Sequence, residues 1–98
     1  MSTYVLLHLN LLNTPEGTRA DFYELLNSNK WLKVHPAFTA WRCRYKDDVA
    51  DVENVVIREI KQLAQEAGVP HLYGVGQCGN APAFDFEYRA AARSSARR

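Results

Sequence analysis

The sequence is poor in cysteine, with only Cys43 and Cys78 in 98 residues, and neither has a second Cys or a His at metal-finger spacing beside it. This excludes a disulfide-stapled scaffold and a zinc finger. The expectation is two reduced, partly buried thiols; a pairing of the two, as a disulfide or through a metal, is the alternative. Long apolar runs are missing too. The longest, Val5 to Leu12, is interrupted by His8 and Asn10 and falls far below the roughly 20 residues a membrane helix needs. Met1-Ser2-Thr3-Tyr4 carries no basic stretch and no small-residue cleavage signature follows, so the chain reads as cytoplasmic rather than secreted. Nor does one sign of charge dominate. The net charge is +1, with 47% hydrophobic and 23% charged residues, which is ordinary globular usage and neither disordered nor fibrous. Repeats and low-complexity linkers are absent, and 98 residues suffice for one core and not for two.

The elements follow from periodicity. Thr3 to Leu11 is enriched in apolar residues on both faces, as in a central strand, with Val5, Leu7, Leu9 and Leu11 on one side and Tyr4, Leu6, His8 and Asn10 on the other. The turn formers Asn13-Thr14-Pro15-Glu16-Gly17 end it. A helix is expected from Thr18, whose hydroxyl can cap the amide of Asp21, with Phe22, Leu25 and Leu26 as its stripe and Asn27-Ser28-Asn29 as its stop. A hairpin follows, Trp31 to Val34 and Ala37 to Tyr45, turned at His35-Pro36. In its second arm Thr39, Trp41, Cys43 and Tyr45 alternate with Ala40, Arg42 and Arg44.

The strongest helix signal runs from Asp48 to Ala67. Asp47 or Asp48 serves as cap, Val49, Val52, Val56, Ile60, Leu63 and Ala67 recur at intervals of three and four, and Gly68 and Pro70 close it. Two more strands are expected, His71 to Gln77 and Ala83 to Tyr88. The second sets Phe84, Phe86 and Tyr88 against Asp85, Glu87 and Arg89. From Ala90 to Arg98 only small residues and arginines remain, which reads as a flexible basic tail.

Strand, helix, strand, strand, helix, strand, with a short extra strand, is the order of an α+β ferredoxin-like βαββαβ sandwich in residues 1–89. Two helices shield one face of such a sheet, over Val5, Leu7, Trp41 and Cys43. Function then belongs to the uncovered face. There Tyr4 and His8 lie beside Arg42 and Arg44, aromatic surfaces next to guanidinium groups, the pairing that sheet-based binders of single-stranded RNA or DNA use. A homodimer interface is the competing reading, because a sheet left open with Tyr4 and Leu6 on it tends to find cover. Arg93, Arg97 and Arg98 in the tail could add phosphate contacts, or simply solubilise the terminus.

Chemistry has little to build on. His8, His35 and His71 show no Ser-His or Cys-His spacing, and no three ligands stand at recognisable metal spacing. No catalytic residue, metal or cofactor is therefore expected. Gly74-Val75-Gly76-Gln77-Cys78-Gly79 misses the spacings of both the dinucleotide and the P-loop motifs. Close backbone approach inside a strand is the better account of its glycines.

Tyr4-Val5-Leu6-Leu7-His8-Leu9-Asn10 as first strand, Phe38-Thr39-Ala40-Trp41-Arg42-Cys43 ahead of the long helix, and that helix itself carry a resemblance. The chain resembles the small ferredoxin-like proteins related to the CRISPR-associated adaptation nuclease subunit and its toxin and antitoxin relatives. The resemblance implies a homodimer that binds nucleic acid or a protein partner, as an antitoxin-like or phage-defence accessory factor. Some members cleave nucleic acid with a metal held by an aspartate at the end of the first strand. Here that place offers Leu9, Asn10 and Asn13, and a hard divalent cation wants anionic oxygen, so binding is expected without cleavage. The apolar first strand, the Pro15-Glu16-Gly17 turn and a helix at Ala20 to Leu26 are also similar to the dimeric α+β barrel monooxygenases. That likeness implies, as the alternative, a small-molecule enzyme with a cavity between helices and sheet.

Overall fold

A computed structural model describes residues 2–34, 39–46 and 51–90. The elements run β1 (Ser2–Leu12), α1 (Glu16–Ser28), β2 (Leu32–Lys33), β3 (Ala40–Lys46), α2 (Val52–Ala67), β4 (His71–Cys78) and β5 (Phe84–Arg89). All five strands join one antiparallel sheet in the order β2-β3-β1-β4-β5. The chain is thus α+β, with β1 central, as its two-sided apolar pattern requires. Among the described residues no helix is long and apolar enough to cross a membrane. The turn at His35-Pro36, the caps at Asp47 and Asp48, and the tail from residue 91 lie outside the described residues.

Both helices cover the same face. Val5, Leu7, Leu9, Trp41 and Leu72 from the sheet meet Phe22 and Leu26 of α1 and Val56, Ile60 and Ala64 of α2, all buried in one cluster. Trp31, fully buried, sets its ring edge-on to Tyr45 of β3, centroids 6.4 Å apart. On β4, Gly74 and Gly76 stand directly opposite Phe86 and Phe84. A Cβ at Gly74 would fall 2.4 Å from the Phe86 ring, and one at Gly76 would fall 2.8 Å from the Phe84 ring. The glycines are where two rings of β5 fold back over the sheet, the close approach their strand context implied.

Most strand ends shift by a residue, and β3 begins at Ala40 with Thr39 outside it rather than at Ala37; three further departures have a physical cause. α1 begins at Glu16, not Thr18, because Pro15 (φ −59°, ψ 154°) presets the entry and Arg19 N–H already donates to its carbonyl at 2.9 Å. α2 begins at Val52 rather than Asp48, so it has 16 residues and spans about 24 Å. Its N-cap is Asp51 in the left-handed region, whose carboxylate accepts from the Asn54 amide at 2.6 Å. β2 shrinks to two residues, since Trp31 belongs to the end of α1: its N–H donates to Leu26 O at 3.0 Å and Lys30 N–H to Asn27 O at 3.1 Å. These are the two bonds of a Schellman motif.

The candidate interaction face

Alternation along the strands delivers one complete face of the sheet to the side away from the helices. Among the described residues, the exposed large apolar side chains are Tyr4 (66%), Leu6 (45%), Leu32 (54%), Val34 (45%), Tyr73 (44%) and Val75 (49%). All six lie on that face. Register sets them in rows. Tyr4 pairs with Arg44; Leu32, Arg42, Leu6 and Gln77 form the next row; Ala40, His8, Val75 and Asp85 the next; Asn10, Tyr73 and Glu87 the one after; and Leu12, His71 and Arg89 the last. Val34 joins the third row through its N–H, which donates to Ala40 O at 2.9 Å.

The expected site residues divide accordingly. Tyr4, Arg42 and Arg44 come together on the rim of a groove of about 610 Å³, with Leu6, Leu32 and Lys30. His8 shares the face but sits in a separate hollow of about 180 Å³ beside Val75. Among the described residues none of these four makes a side-chain hydrogen bond. Arg93, Arg97 and Arg98 lie outside the described residues. Sequence reading missed Lys30, Leu32, Val34, Tyr73 and Val75 as members of this face. The signal for the last two was present, since Leu72, Gly74 and Gly76 alternate with Tyr73, Val75 and Gln77, but small glycines hid the buried phase.

Charge on the face is polarised. The β2–β3 side carries Lys30, Arg42 and Arg44, while the β5 side carries Asp85 and Glu87 with Arg89 beyond them, an excess of one negative charge. Glu87 accepts from Arg89 at 2.9 Å and meets His71 Nε2 at 2.5 Å. The bond to His71, then that to Arg89, holds the Glu87 carboxyl below its usual range. His71 thus has a carboxylate partner that sequence spacing did not reveal.

On the covered side, the polar feature is Glu59 of α2, whose Oε1 accepts from Tyr45 OH at 2.5 Å and Trp31 Nε1 at 3.4 Å. Burial first, and then this carboxylate, push the Tyr45 phenol strongly upward. Cys43 and Cys78 are free and half-buried, and burial raises both thiols. Each stands opposite Val5, on either side of β1. Two strand spacings put their Cα atoms about 9.6 Å apart, beyond the roughly 7 Å limit for a disulfide. Among the described residues no group of three or more His, Cys, Asp or Glu side chains could hold a metal ion.

Comparisons with protein-family models, with curated proteins and with solved structures return no match to this chain.

Proposed function

We propose that the chain is a ferredoxin-like binding module without catalytic machinery, and that it works as a homodimer closed through the open sheet face. Supporting the fold assignment, β1 and β2 run parallel with β3 between them, and β3 and β4 run parallel with β1 between them. Both are split βαβ units bridged by a helix, and β5 extends the β4 edge.

One observation carries the dimer: every exposed large apolar side chain of the described residues falls on a single face. Scattered exposed apolar residues need no explanation, whereas a contiguous set marks an interface. The dimeric barrel enzyme needs a cavity between helices and sheet, and that layer is filled by Phe22, Trp31 and Trp41, each no more than 1% exposed. A binding module is the better supported reading.

Sedimentation equilibrium tests it. The wild type should run at twice the chain mass, and Leu6→Glu, which sets a charge in the middle of the apolar face, should run as a folded monomer. A wild type that stays monomeric at high micromolar concentration rejects the dimer. A second reading draws on the groove, where Tyr4 beside Arg44 and Arg42 between Leu6 and Leu32 would suit single-stranded RNA or DNA. It requires the face to be free. Salt-dependent binding of a short oligonucleotide by a monomeric wild type, lost in Arg42→Ala and Arg44→Ala, would favour it.

A further inference from the structure

The open face is charged at opposite corners, and this fixes how a second copy fits it. Same-face residues are spaced about 6.7 Å along a strand, and strands about 4.8 Å apart. Arg42 and Arg44 lie on β3 in the rows of Leu6 and Tyr4. Asp85 and Glu87 lie on β5 in the rows of His8 and Asn10, through Val75 and Tyr73; Glu87 already accepts from Arg89 in the row beyond, so Asp85 is the carboxylate of this corner with no side-chain partner among the described residues. From the basic pair to the acidic pair is therefore three strand spacings across and two rows along, a diagonal of about 20 Å at roughly 45° to the strands.

A two-fold axis in the plane of the face can run along the strands, across them or diagonally. An axis along the strands over β1 lays Asp85 on Val34 and Arg42 on Gln77, and leaves the charges unpaired. An axis across the strands lays β3 on β3, whose open face offers Ala40, Arg42 and Arg44 and no carboxylate. An axis at roughly 45°, passing between β1 and β4 near the level of His8, exchanges the basic and acidic corners, and the strands of the two copies then cross at about 90°.

The diagonal axis that brings the opposite charges together also matches apolar groups. It lays Leu6 on Val75 of the second copy and Leu32 on Tyr73 of the second copy. Arg42 then falls about 5 Å in projection from Asp85 of the second copy, within reach of its side chain. The groove flanked by Arg42 and Arg44 receives the acidic, Tyr73-bearing corner of the other subunit. Isologous symmetry does this twice per dimer.

We infer that the partner of the open face is a second copy of this chain packed orthogonally, with Arg42 of each subunit facing Asp85 of the other. This rests on the homodimer proposed above and adds its geometry.

Reversal and exchange of the pair test it, read by sedimentation with circular dichroism as the folding control. Arg42→Asp and Asp85→Arg should each weaken the dimer about tenfold or more, because each places like charges together twice. The double variant R42D/D85R should return the dissociation constant to within a few-fold of wild type. With an axis across the strands, exchange within one chain restores nothing; with an axis along them, neither single variant creates a like-charge pair. Single variants that dimerise normally, or a double variant as weak as the singles, overturn the orthogonal geometry while the dimer stands. A monomeric wild type overturns the dimer itself. If Arg42→Asp fails to fold, Asp85→Arg against the double variant makes the same comparison.

Discussion

The hydroxyl of Tyr45 on β3 donates to the carboxylate of Glu59 on α2 across 2.5 Å, and the indole of Trp31 reaches the same oxygen at 3.4 Å. One side chain of α2 thereby ties β3 to the end of α1, next to a β2 only two residues long. Glu59→Ala leaves the half-buried hydroxyl without its acceptor and should cost about 1–3 kcal/mol, whereas Tyr45→Phe removes donor and demand together and should cost about 1 kcal/mol. Urea unfolding followed by tryptophan fluorescence reports both, and equal costs would mean that Glu59 acts by packing alone.

Alkali should loosen the same region. The Tyr45 phenol lies well above its ordinary value of 10.0, and the Cys43 and Cys78 thiols lie above 9.0, all chiefly through burial. A raised acid holds its proton in the native state when the unfolded chain has already released it. Stability is therefore intact below pH 9 and falls as pH rises through 9 to 11. Melting temperature measured from pH 7 to 11 should decline from about pH 9, and Tyr45→Phe should remove the part of the decline above pH 10. A flat profile in the wild type would contradict the burial of these groups.

Much of this architecture was legible in the chain because the relevant signals are local. Period-two alternation in Trp41-Arg42-Cys43-Arg44 fixed which residues face the helices, and Val56, Ile60 and Leu63 fixed the buried side of α2. Boundaries were less legible where a neighbour decides them. Trp31 reads as strand by composition, but its backbone bond to Leu26 assigns it to the end of α1, so β2 begins one residue later. The candidate face was half visible. Tyr4, Leu6, Arg42 and Arg44 follow from two strongly patterned strands, whereas Tyr73 and Val75 alternate with glycines whose burial depends on Phe84 and Phe86 of the next strand.

Those glycines give a packing prediction. At Gly74 a methyl group would enter the Phe86 ring and at Gly76 the Phe84 ring, and the two rings stack on each other with centroids 6.2 Å apart. Neither ring can swing aside without disturbing the other. Gly74→Ala should destabilise by about 1–3 kcal/mol through overpacking, in spite of the better strand propensity of alanine. In the double variant Gly74→Ala with Phe86→Leu, the smaller side chain should recover part of the loss. Full additivity of the two costs, measured by urea unfolding, would show that the ring and the methyl group never meet.

The two helices end alike, and the residue in the left-handed position differs in a testable way. After α2, Gly68 takes φ +84°, with Gly68 N–H donating to Gln65 O and Val69 N–H to Ala64 O. After α1, Lys30 takes φ +71° with the equivalent bonds to Asn27 O and Leu26 O. The residue after each turn, Val69 or Trp31, is fully buried, so both motifs tuck an apolar side chain into the core. A lysine in the left-handed region bears a steric cost of about 1 kcal/mol that glycine does not. Lys30→Gly should therefore stabilise the fold by several tenths of a kcal/mol after the added chain entropy is subtracted, and Gly68→Ala should destabilise it by about 1 kcal/mol. Thermal and urea unfolding of the two variants should move in opposite directions. A loss of stability in Lys30→Gly would mean that the lysine side chain makes contacts on the rim of the groove worth more than the backbone strain it bears.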